Sequence, residues 1–210
     1  MVCTIAGLDP TGGAGIAADL RTFAALGGWG TAVVTAIALQ DEGGVRAVHP
    51  VAADAVSNQL RAALARRPAA LKTGMLATAD LLAAVADVLD EGEIPPLVVD
   101  PVLAAGAGGA LLEDAALAGL AERLGPHATL LTPNLPEAAR LLGKAAIAPG
   151  EERAAATALL ELGWQAVLLK GGHGQGEACV DHLVGPDGAQ AFSRPRLAGP
   201  TLRGTGCTLA

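Results

Sequence analysis

Short apolar segments alternate with longer segments of helical periodicity along the chain. The apolar segments predict strands at residues 2–6, 31–39, 71–74, 97–100, 129–131 and 166–170. The intervening periodicity predicts helices at residues 15–26, 51–67, 79–89, 114–124, 135–142 and 151–162, the third with Thr78 as its N-cap. Two weaker strands, at residues 178–184 and 190–193, predict a hairpin around a Gly-Pro-Asp-Gly turn.

This alternation predicts a single α/β domain with a mostly parallel sheet and helices on both faces. No long linker, internal repeat or low-complexity segment interrupts residues 1–210. In folds of this class, ligands bind at the carboxyl ends of the parallel strands. Polar residues that directly follow the predicted strands are therefore the first candidates for a functional site.

Composition and charge exclude several classes of partner. Aromatic residues make up 2% of the chain, tyrosine is absent, and the net charge is −7. Nucleic-acid binding favours basic faces and aromatic stacking platforms, so we expect no nucleic-acid partner. No apolar run approaches the roughly 20 residues that a membrane span needs, so we expect no membrane association.

The three cysteines, Cys3, Cys179 and Cys207, are scattered and have no metal-binding or disulfide spacing. Free thiols of this kind are typical of a reducing compartment, which predicts a cytoplasmic location.

Seven polar residues follow predicted strands or begin the next helix: Asp9, Asp19, Gln40, Asp100, Asn134, Glu137 and Lys170. Each has an ordinary structural explanation, such as an Asx turn at Asp9 or a helix cap formed by Asn134 and Glu137. Their joint placement at one edge of a parallel sheet favours a ligand site.

Phosphate-binding signals are weak in most of the chain. No GxxxxGK[ST] motif is present, and the match to GxGxxA from Gly13 to Ala18 is too short to favour a dinucleotide site. The run Gly204-Thr205-Gly206-Cys207-Thr208 is more informative, because successive glycines let backbone N–H groups converge on an anion. An ordinary glycine-rich turn is the alternative.

Taken together, these residues resemble the hydroxymethylpyrimidine and phosphomethylpyrimidine kinases of the ribokinase superfamily. The resemblance runs from the first strand to the end of the chain and rests on seven segments in order: AGLDPTGGAGIAADL (6–20), ALQ (38–40), KTGML (72–76), VDPV (99–102), TPNLPEA (132–138), LKGGH (169–173) and GTGCT (204–208). It implies a ribokinase-like three-layer α/β/α sandwich that phosphorylates 4-amino-5-hydroxymethyl-2-methylpyrimidine, its monophosphate or both for thiamine biosynthesis. The implied cofactors are ATP and Mg²⁺, and the implied assembly is a homodimer.

The resemblance also implies a role for each matching residue. The substrate pocket would be formed by Gly7, Asp19, Gln40, Met75 and Val102. ATP would be bound by Asn134, Glu137, Lys170 and Thr205, and the metal by Asp100 and Glu137. The catalytic set would be Lys170, the anion hole of Gly204, Thr205 and Gly206, and Cys207 as the base that deprotonates the substrate hydroxyl.

The chain ends three residues after Cys207, whereas the family continues into further helices. We therefore expect a domain truncated at its C-terminus, with the C-terminal helices missing. Three residues are too few for a helical turn, so we also expect no helix at Cys207, and a thiol that titrates like an ordinary cysteine.

Two alternatives remain open. A pyridoxine or pyridoxal kinase of the same superfamily would also act on a hydroxymethyl group of a nitrogen heterocycle, although Gln40 and Met75 favour the pyrimidine. The chain could instead be a non-catalytic remnant that binds the pyrimidine without phosphorylating it.

Overall fold

The computed structural model describes residues 1–41, 44–104, 111–174, 176–199 and 204–210. Its strands are β1 (Val2–Leu8), β2 (Gly30–Asp41), β3 (Gly44–Pro50), β4 (Ala70–Thr73), β5 (Leu97–Val99), β6 (Leu130–Leu131), β7 (Val167–Leu169), β8 (Ala178–Gly185) and β9 (Gly188–Pro195). Its α-helices are α1 (Gly15–Ala25), α2 (Ala53–Leu64), α3 (Ala79–Leu89), α4 (Asp114–Leu124), α5 (Leu135–Leu141), α6 (Glu152–Leu160) and α7 (Thr205–Leu209). Short 3₁₀ turns occupy Gly125–His127 and Gly171–His173.

These strands form one sheet in the order β3-β2-β1-β4-β5-β6-β7-β8-β9. The pairings from β2 through β7 are parallel, and antiparallel strands extend the sheet at both edges. The predicted mostly parallel α/β fold is therefore confirmed, as is the hairpin formed by β8 and β9.

The helices form layers on the two faces of this sheet. The crossover from β1 through α1 leads to β2, toward the β3 edge of the sheet. The crossovers from β4 through α3 to β5 and from β5 through α4 to β6 lead the opposite way, toward the β9 edge. Because such crossovers are right-handed, α1 lies on the face opposite α3 and α4. In agreement, α2 packs on α3 and α3 on α4, while α1 packs on α7. The strand order reverses between β1 and β4, which places the expected ligand crevice beyond their carboxyl ends.

The core lies between the sheet and the two helical layers. Its largest fully buried side chains are aliphatic, and they include Ile5, Leu60, Leu71, Leu81, Leu89, Leu97, Leu124, Leu131 and Leu169. Leucines on strands and helices thus supply most of the hydrophobic burial that holds the layers together. All three cysteines are free thiols. No helix in the described ranges is long and apolar enough to cross a membrane.

Two local expectations were wrong. β3 was not predicted, because Gly44–Pro50 lacks a clear apolar alternation. It lies at the edge of the sheet, and among the described residues it pairs with β2. A helix does form around Cys207, although none was expected. It begins two residues before Cys207, at Thr205, and Gly204 caps it in the left-handed conformation with φ 76°.

Candidate active site

The loop after β1 is shaped by the side chain of Asp9. Its Oδ1 accepts hydrogen bonds from the backbone N–H of Thr11 at 2.9 Å and from the Thr11 hydroxyl at 2.8 Å, and its Oδ2 accepts one from Ala14 N–H at 2.9 Å. This is the Asx turn that the sequence allowed. It leads the chain from the carboxyl end of β1 directly into α1.

Two glycines let distant backbone segments meet at this loop. Gly15 and Gly204 both have positive φ angles. Residues that carry a Cβ adopt this backbone conformation only at an energetic cost. A Cβ at Gly15 would also overlap the carbonyl oxygen of Gly7, and one at Gly204 would overlap that of Gly13. The C-terminal segment beginning at Gly204 is therefore held directly against the loop that precedes α1.

The structure brings Gly7 and Met75 together at the carboxyl ends of β1 and β4. A Cβ at Gly7 would collide with the methyl carbon of Met75, so Met75 packs on the backbone of Gly7. The hydroxyl of Thr35 donates to the Met75 carbonyl at 2.6 Å and fixes the backbone there. Val102, which is half-buried, follows β5 nearby in the sheet order. These residues can form apolar walls.

Gln40 lies near the end of β2, beyond the last residue of β1, since Leu8 pairs with Ile37. In this region β2 pairs with β3, and Gln40 itself faces Val45 in that ladder. The residue is half-buried. Contact between Gln40 and a ligand stays a prediction.

Asp19 lies on α1 and forms a buried ion pair with Lys72 on β4. Lys72 Nζ donates to Asp19 Oδ1 at 2.7 Å, and the Thr4 hydroxyl donates to Asp19 Oδ2 at 2.5 Å. Both oxygens of the carboxylate thus have protein partners, and its predicted contact with substrate is untested. Burial disfavours the charge on Lys72, but Asp19 and other nearby acidic groups together raise the pKa of the lysine.

A second buried ion pair joins Asp100 and Lys170, which follow β5 and β7. Lys170 Nζ lies 2.9 Å from Asp100 Oδ1. The backbone of Lys170 is fixed by a hydrogen bond from its N–H to the carbonyl of Pro133, 2.8 Å away. A Cβ at Gly206 would lie 3.4 Å from Lys170 Nζ, so this ammonium borders the start of α7.

Asn134 and Glu137 form a capping box at the start of α5. Asn134 Oδ1 accepts from Glu137 N–H at 2.9 Å, and Glu137 Oε2 accepts from Asn134 N–H at 2.8 Å. The helix cap that the sequence allowed for these two residues is therefore present. Burial and the charge of Asp100 nevertheless raise the pKa of Glu137 to about 7, although Lys170 and backbone N–H groups oppose the shift.

These carboxylates are compatible with Mg²⁺. Among the described residues no cluster of three or more acidic, histidine or cysteine side chains could hold a metal by itself. Mg²⁺ usually takes only one or two carboxylates and completes its shell with phosphate oxygens and waters. Asp100 and Glu137 supply two. The raised pKa of Glu137 comes first from burial and then from the charge of Asp100, and a bound cation would oppose both effects.

Cys207 lies in α7 and faces the start of α1. The charge of Lys72 and the nearby backbone N–H of Gly15 favour the thiolate. Burial is the larger effect, and with Asp100 and Asp19 it raises the pKa of the thiol above its usual value. The expectation of an ordinary thiol was therefore wrong, because it neglected the packing of α7 on α1.

Lys72 is the main residue of the candidate site to which the sequence analysis assigned no role. It was visible as a lysine between Leu71 and Thr73 on a buried strand, where a charged side chain requires a partner. The partner, Asp19, is 53 residues away in the sequence, so only the fold identifies it.

Comparisons with known proteins agree with this geometry. The family described as phosphomethylpyrimidine kinase matches residues 9–210. The hydroxymethylpyrimidine/phosphomethylpyrimidine kinase of Escherichia coli K12 is 44% identical over 209 residues, which cover 99% of this chain and 79% of that protein.

Two solved structures have the same fold. The phosphomethylpyrimidine kinase of Clostridium difficile 630 superimposes with a TM-score of 0.82 at 38% identity, over 91% of this chain and 83% of that one. A Staphylococcus aureus pyridoxal kinase in complex with AMP-PCP and pyridoxal gives 0.85 at 33% identity, over 99% of this chain and 76% of that one.

Proposed function

This chain belongs to the phosphomethylpyrimidine kinase family, and we propose that it transfers the terminal phosphoryl group of ATP to 4-amino-5-hydroxymethyl-2-methylpyrimidine, to its monophosphate, or to both, in thiamine biosynthesis. The observation that carries the proposal is the placement of Gly204 to Cys207. This segment lies against the loop before α1 and borders the ammonium of Lys170. The segment that carries the Cys207 thiol thus lies beside backbone N–H groups and an ammonium, which supports the proposal.

The pyrimidine would lie in the crevice beyond β1 and β4. Met75 and Val102 would supply its apolar walls, and the small Gly7 leaves room for Met75 beside the ring. Gln40, at the rim, would pair through its amide with a ring nitrogen and the exocyclic amine. Asp19 would contact the substrate from the floor of this pocket, where hydrogen bonds from Thr4 and Lys72 hold its carboxylate.

The phosphates of ATP would lie between α5 and α7. Asn134, Glu137, Lys170 and Thr205 are the candidate contacts, and the N–H groups of Gly204, Thr205 and Gly206 would form the anion hole. Phosphoryl transfer depends mainly on positioning and charge stabilisation, which these groups provide. Bound through Asp100 and Glu137, Mg²⁺ would neutralise phosphate charge.

Cys207 would act as the general base. With the hydroxymethylpyrimidine, its thiolate takes the proton from the hydroxymethyl group while that oxygen attacks the γ-phosphorus and ADP leaves. With the monophosphate, the attacking oxygen would be one of its phosphate group. Lys170 balances the charge on the transferring group. Burial raises the pKa of the free thiol, while the charge of Lys72 and the Gly15 N–H oppose this shift.

A parallel assay tests the proposal against its alternatives. The protein is incubated with ATP and Mg²⁺ and with the hydroxymethylpyrimidine, its monophosphate or pyridoxal, and each phosphorylated product is measured by mass spectrometry. We expect the pyrimidine products to form with the higher kcat/KM. A higher kcat/KM for pyridoxal would indicate the pyridoxal kinase alternative, which the similarity to the Staphylococcus aureus enzyme makes the one to test. Pyrimidine binding without any product would indicate a non-catalytic binding protein.

The family resemblance also leads us to propose a homodimer, which light scattering coupled to size-exclusion chromatography would test. A mass of one chain, 20.7 kDa, at micromolar concentration would contradict it.

A further inference from the structure

The hairpin of β8 and β9 contributes little to the core, and the proposed chemistry uses none of its side chains. The residues of β9 are exposed, and most of those of β8 are half-buried. The hairpin nevertheless packs on the segment that follows Lys170 at the carboxyl end of β7. A Cβ at Gly171 would overlap the carbonyl oxygen of Val180 on β8, so the two backbones are in direct contact. The hairpin therefore touches the residue next to a candidate catalytic lysine.

Asp181 on β8 adds a hydrogen bond at the same position. The backbone N–H of Gly171 donates to Asp181 Oδ1 at 2.7 Å. A carboxylate acceptor makes such a bond stronger than one between neutral groups. Gly171 is buried, so without Asp181 its N–H would lose this partner at a position with little access to water. Asp181 is thus well placed to fix the backbone here.

The backbone is held on both sides of the Lys170 Cα. The N–H of Lys170 donates to the carbonyl of Pro133 at 2.8 Å, which holds the peptide plane before the Cα. The N–H of Gly171 belongs to the peptide plane after it, and Asp181 holds that plane. Because φ and ψ are the only soft dihedrals of a residue, holding both planes, at φ −78° and ψ 122°, sets the direction of the Cα–Cβ bond. In this direction Lys170 Nζ lies 2.9 Å from Asp100 Oδ1 and borders the start of α7.

Arg196, which directly follows β9, holds the next part of the same segment. Its guanidinium donates to three backbone carbonyls between residues 172 and 176, at 2.8, 2.8 and 3.1 Å. Both strands of the hairpin thus lead to side chains that hold the chain after Lys170. Of these side chains, Asp181 acts at the point nearest the lysine.

We propose that Asp181 is a positioning residue for phosphoryl transfer: by holding the Gly171 N–H, it directs the Lys170 ammonium toward Asp100 and the segment that would bind the phosphates. The proposal rests on the proposed function of Lys170. Asp181 acts through Lys170 and takes neither a proton nor the phosphoryl group. Without Asp181 the lysine would remain in the chain, but its side chain would no longer be held in this direction.

The chain contains three lysines, which makes amine labelling a direct test. Lys72 and Lys170 are buried and ion-paired, whereas Lys144 is exposed. The ligand-free protein receives a short pulse of sulfo-N-hydroxysuccinimide acetate at neutral pH, and acetylation of each lysine is measured by mass spectrometry. Because the reagent must reach the amine, slow acetylation reports a buried side chain. In the wild-type protein we expect fast labelling of Lys144 and slow labelling of the other two.

Asp181→Ala is expected to speed acetylation of Lys170 by about tenfold, because a hydrogen bond to a charged group changes a conformational equilibrium by roughly that factor. Lys72 should stay protected, since its ion pair joins β4 and α1. Asp181→Asn keeps an oxygen that can accept the N–H and should retain most of the protection. Asp187→Ala, the matched control, removes an exposed carboxylate from the turn of the same hairpin and should change nothing. A Lys170 that stays protected in folded Asp181→Ala protein would overturn the proposal.

A second variant covers the case in which Asp181→Ala fails to fold, which fast labelling of Lys72 would reveal. Asp181→Val also lacks an acceptor, but its β-branched side chain favours a strand. Its expected pattern is the same, with Lys170 labelled faster and Lys72 protected. Protection of both lysines in this variant would equally overturn the proposal.

Kinetics and binding separate positioning from a purely structural role. Asp181→Ala should lower kcat/KM for ATP by about tenfold and leave the Kd of the pyrimidine, measured by calorimetry, nearly unchanged, with Asp181→Asn close to wild type. An unchanged kcat/KM for ATP, or an equal loss of pyrimidine affinity, would overturn the proposal. A wild-type chain without turnover would instead refute the kinase proposal, because the labelling would still show whether Asp181 holds Lys170.

Discussion

Replacing Glu137 with glutamine is predicted to stabilise the ligand-free protein at alkaline pH while weakening its response to Mg²⁺. Glu137 is buried, and its pKa is raised from 4.5 to about 7. At about 1.4 kcal/mol for each pKa unit, the ionised carboxylate destabilises the fold by about 3 kcal/mol at pH 8. Glutamine keeps an oxygen that can accept the Asn134 N–H, so the cap is retained without the charge.

The direction in which Glu137 changes stability with pH follows from its raised pKa. A raised pKa means that the fold favours the protonated carboxyl, so this contribution is fully present below pH 4.5 and is lost as the pH rises through about 7. The variant should therefore gain about 3 kcal/mol at pH 8 and less than about 1 kcal/mol at pH 5. For a chain of this length, the gain at pH 8 corresponds to roughly 6–12 °C in Tm.

Thermal unfolding at pH 5 and pH 8 measures this directly, with Glu122→Gln on the exposed side of α4 as the matched control. The control should show no pH-dependent gain. In a kinase assay the Glu137 variant should also need more Mg²⁺ and turn over more slowly, because a candidate ligand loses its charge. Equal stabilisation at the two pH values would refute the pKa argument, and an unchanged Mg²⁺ titration would reduce Glu137 to a helix cap.

Gln40→Leu is expected to weaken pyrimidine binding by about 1–3 kcal/mol in calorimetry and to leave ATP binding nearly unchanged; equal pyrimidine affinity would remove Gln40 from the pocket. Cys207→Ala should lower kcat by about 10²–10⁴-fold with substrate binding retained, and wild-type turnover in this variant would exclude the thiol as the base. Arg196 donates to the carbonyls of Gly172, Gly174 and Gly176, which follow Lys170. Arg196→Ala should therefore raise the KM for ATP by about tenfold, whereas an equal rise for both substrates would indicate a general loss of structure.

The sheet could be predicted because its signals are local. Buried parallel strands such as β1 and β5 are short apolar runs, and the helices between them have their own periodicity and caps, as at Thr78. β3 lacks such a signal. It is an edge strand whose hydrogen bonds to β2 come from a neighbour in space, and its side chains are mostly half-buried or exposed.

The candidate site was predictable residue by residue but not as a set of contacts. Asn134 and Glu137 had two compatible explanations, and the cap geometry shows one without excluding the other. α7 was missed because residues were counted only after Cys207, whereas the helix begins before it and packs on α1. The pairing of Asp19 with Lys72 depends on the distance between α1 and β4, which no local pattern encodes.

Under the proposed function, the two buried ion pairs would let an acidic protein bind an anionic substrate. The net charge is −7, so the surface as a whole gives ATP no attraction. Lys72 lies near the end of β4 and Lys170 directly follows β7, and each is paired with an aspartate that compensates its burial. Charges act more strongly where water is excluded, so a phosphate bound beside these ammonium groups would interact with them more strongly than with exposed charges at the surface. Asp19 is therefore part of the site as well, since burial disfavours the charge on Lys72 and the attraction of Asp19 opposes that effect.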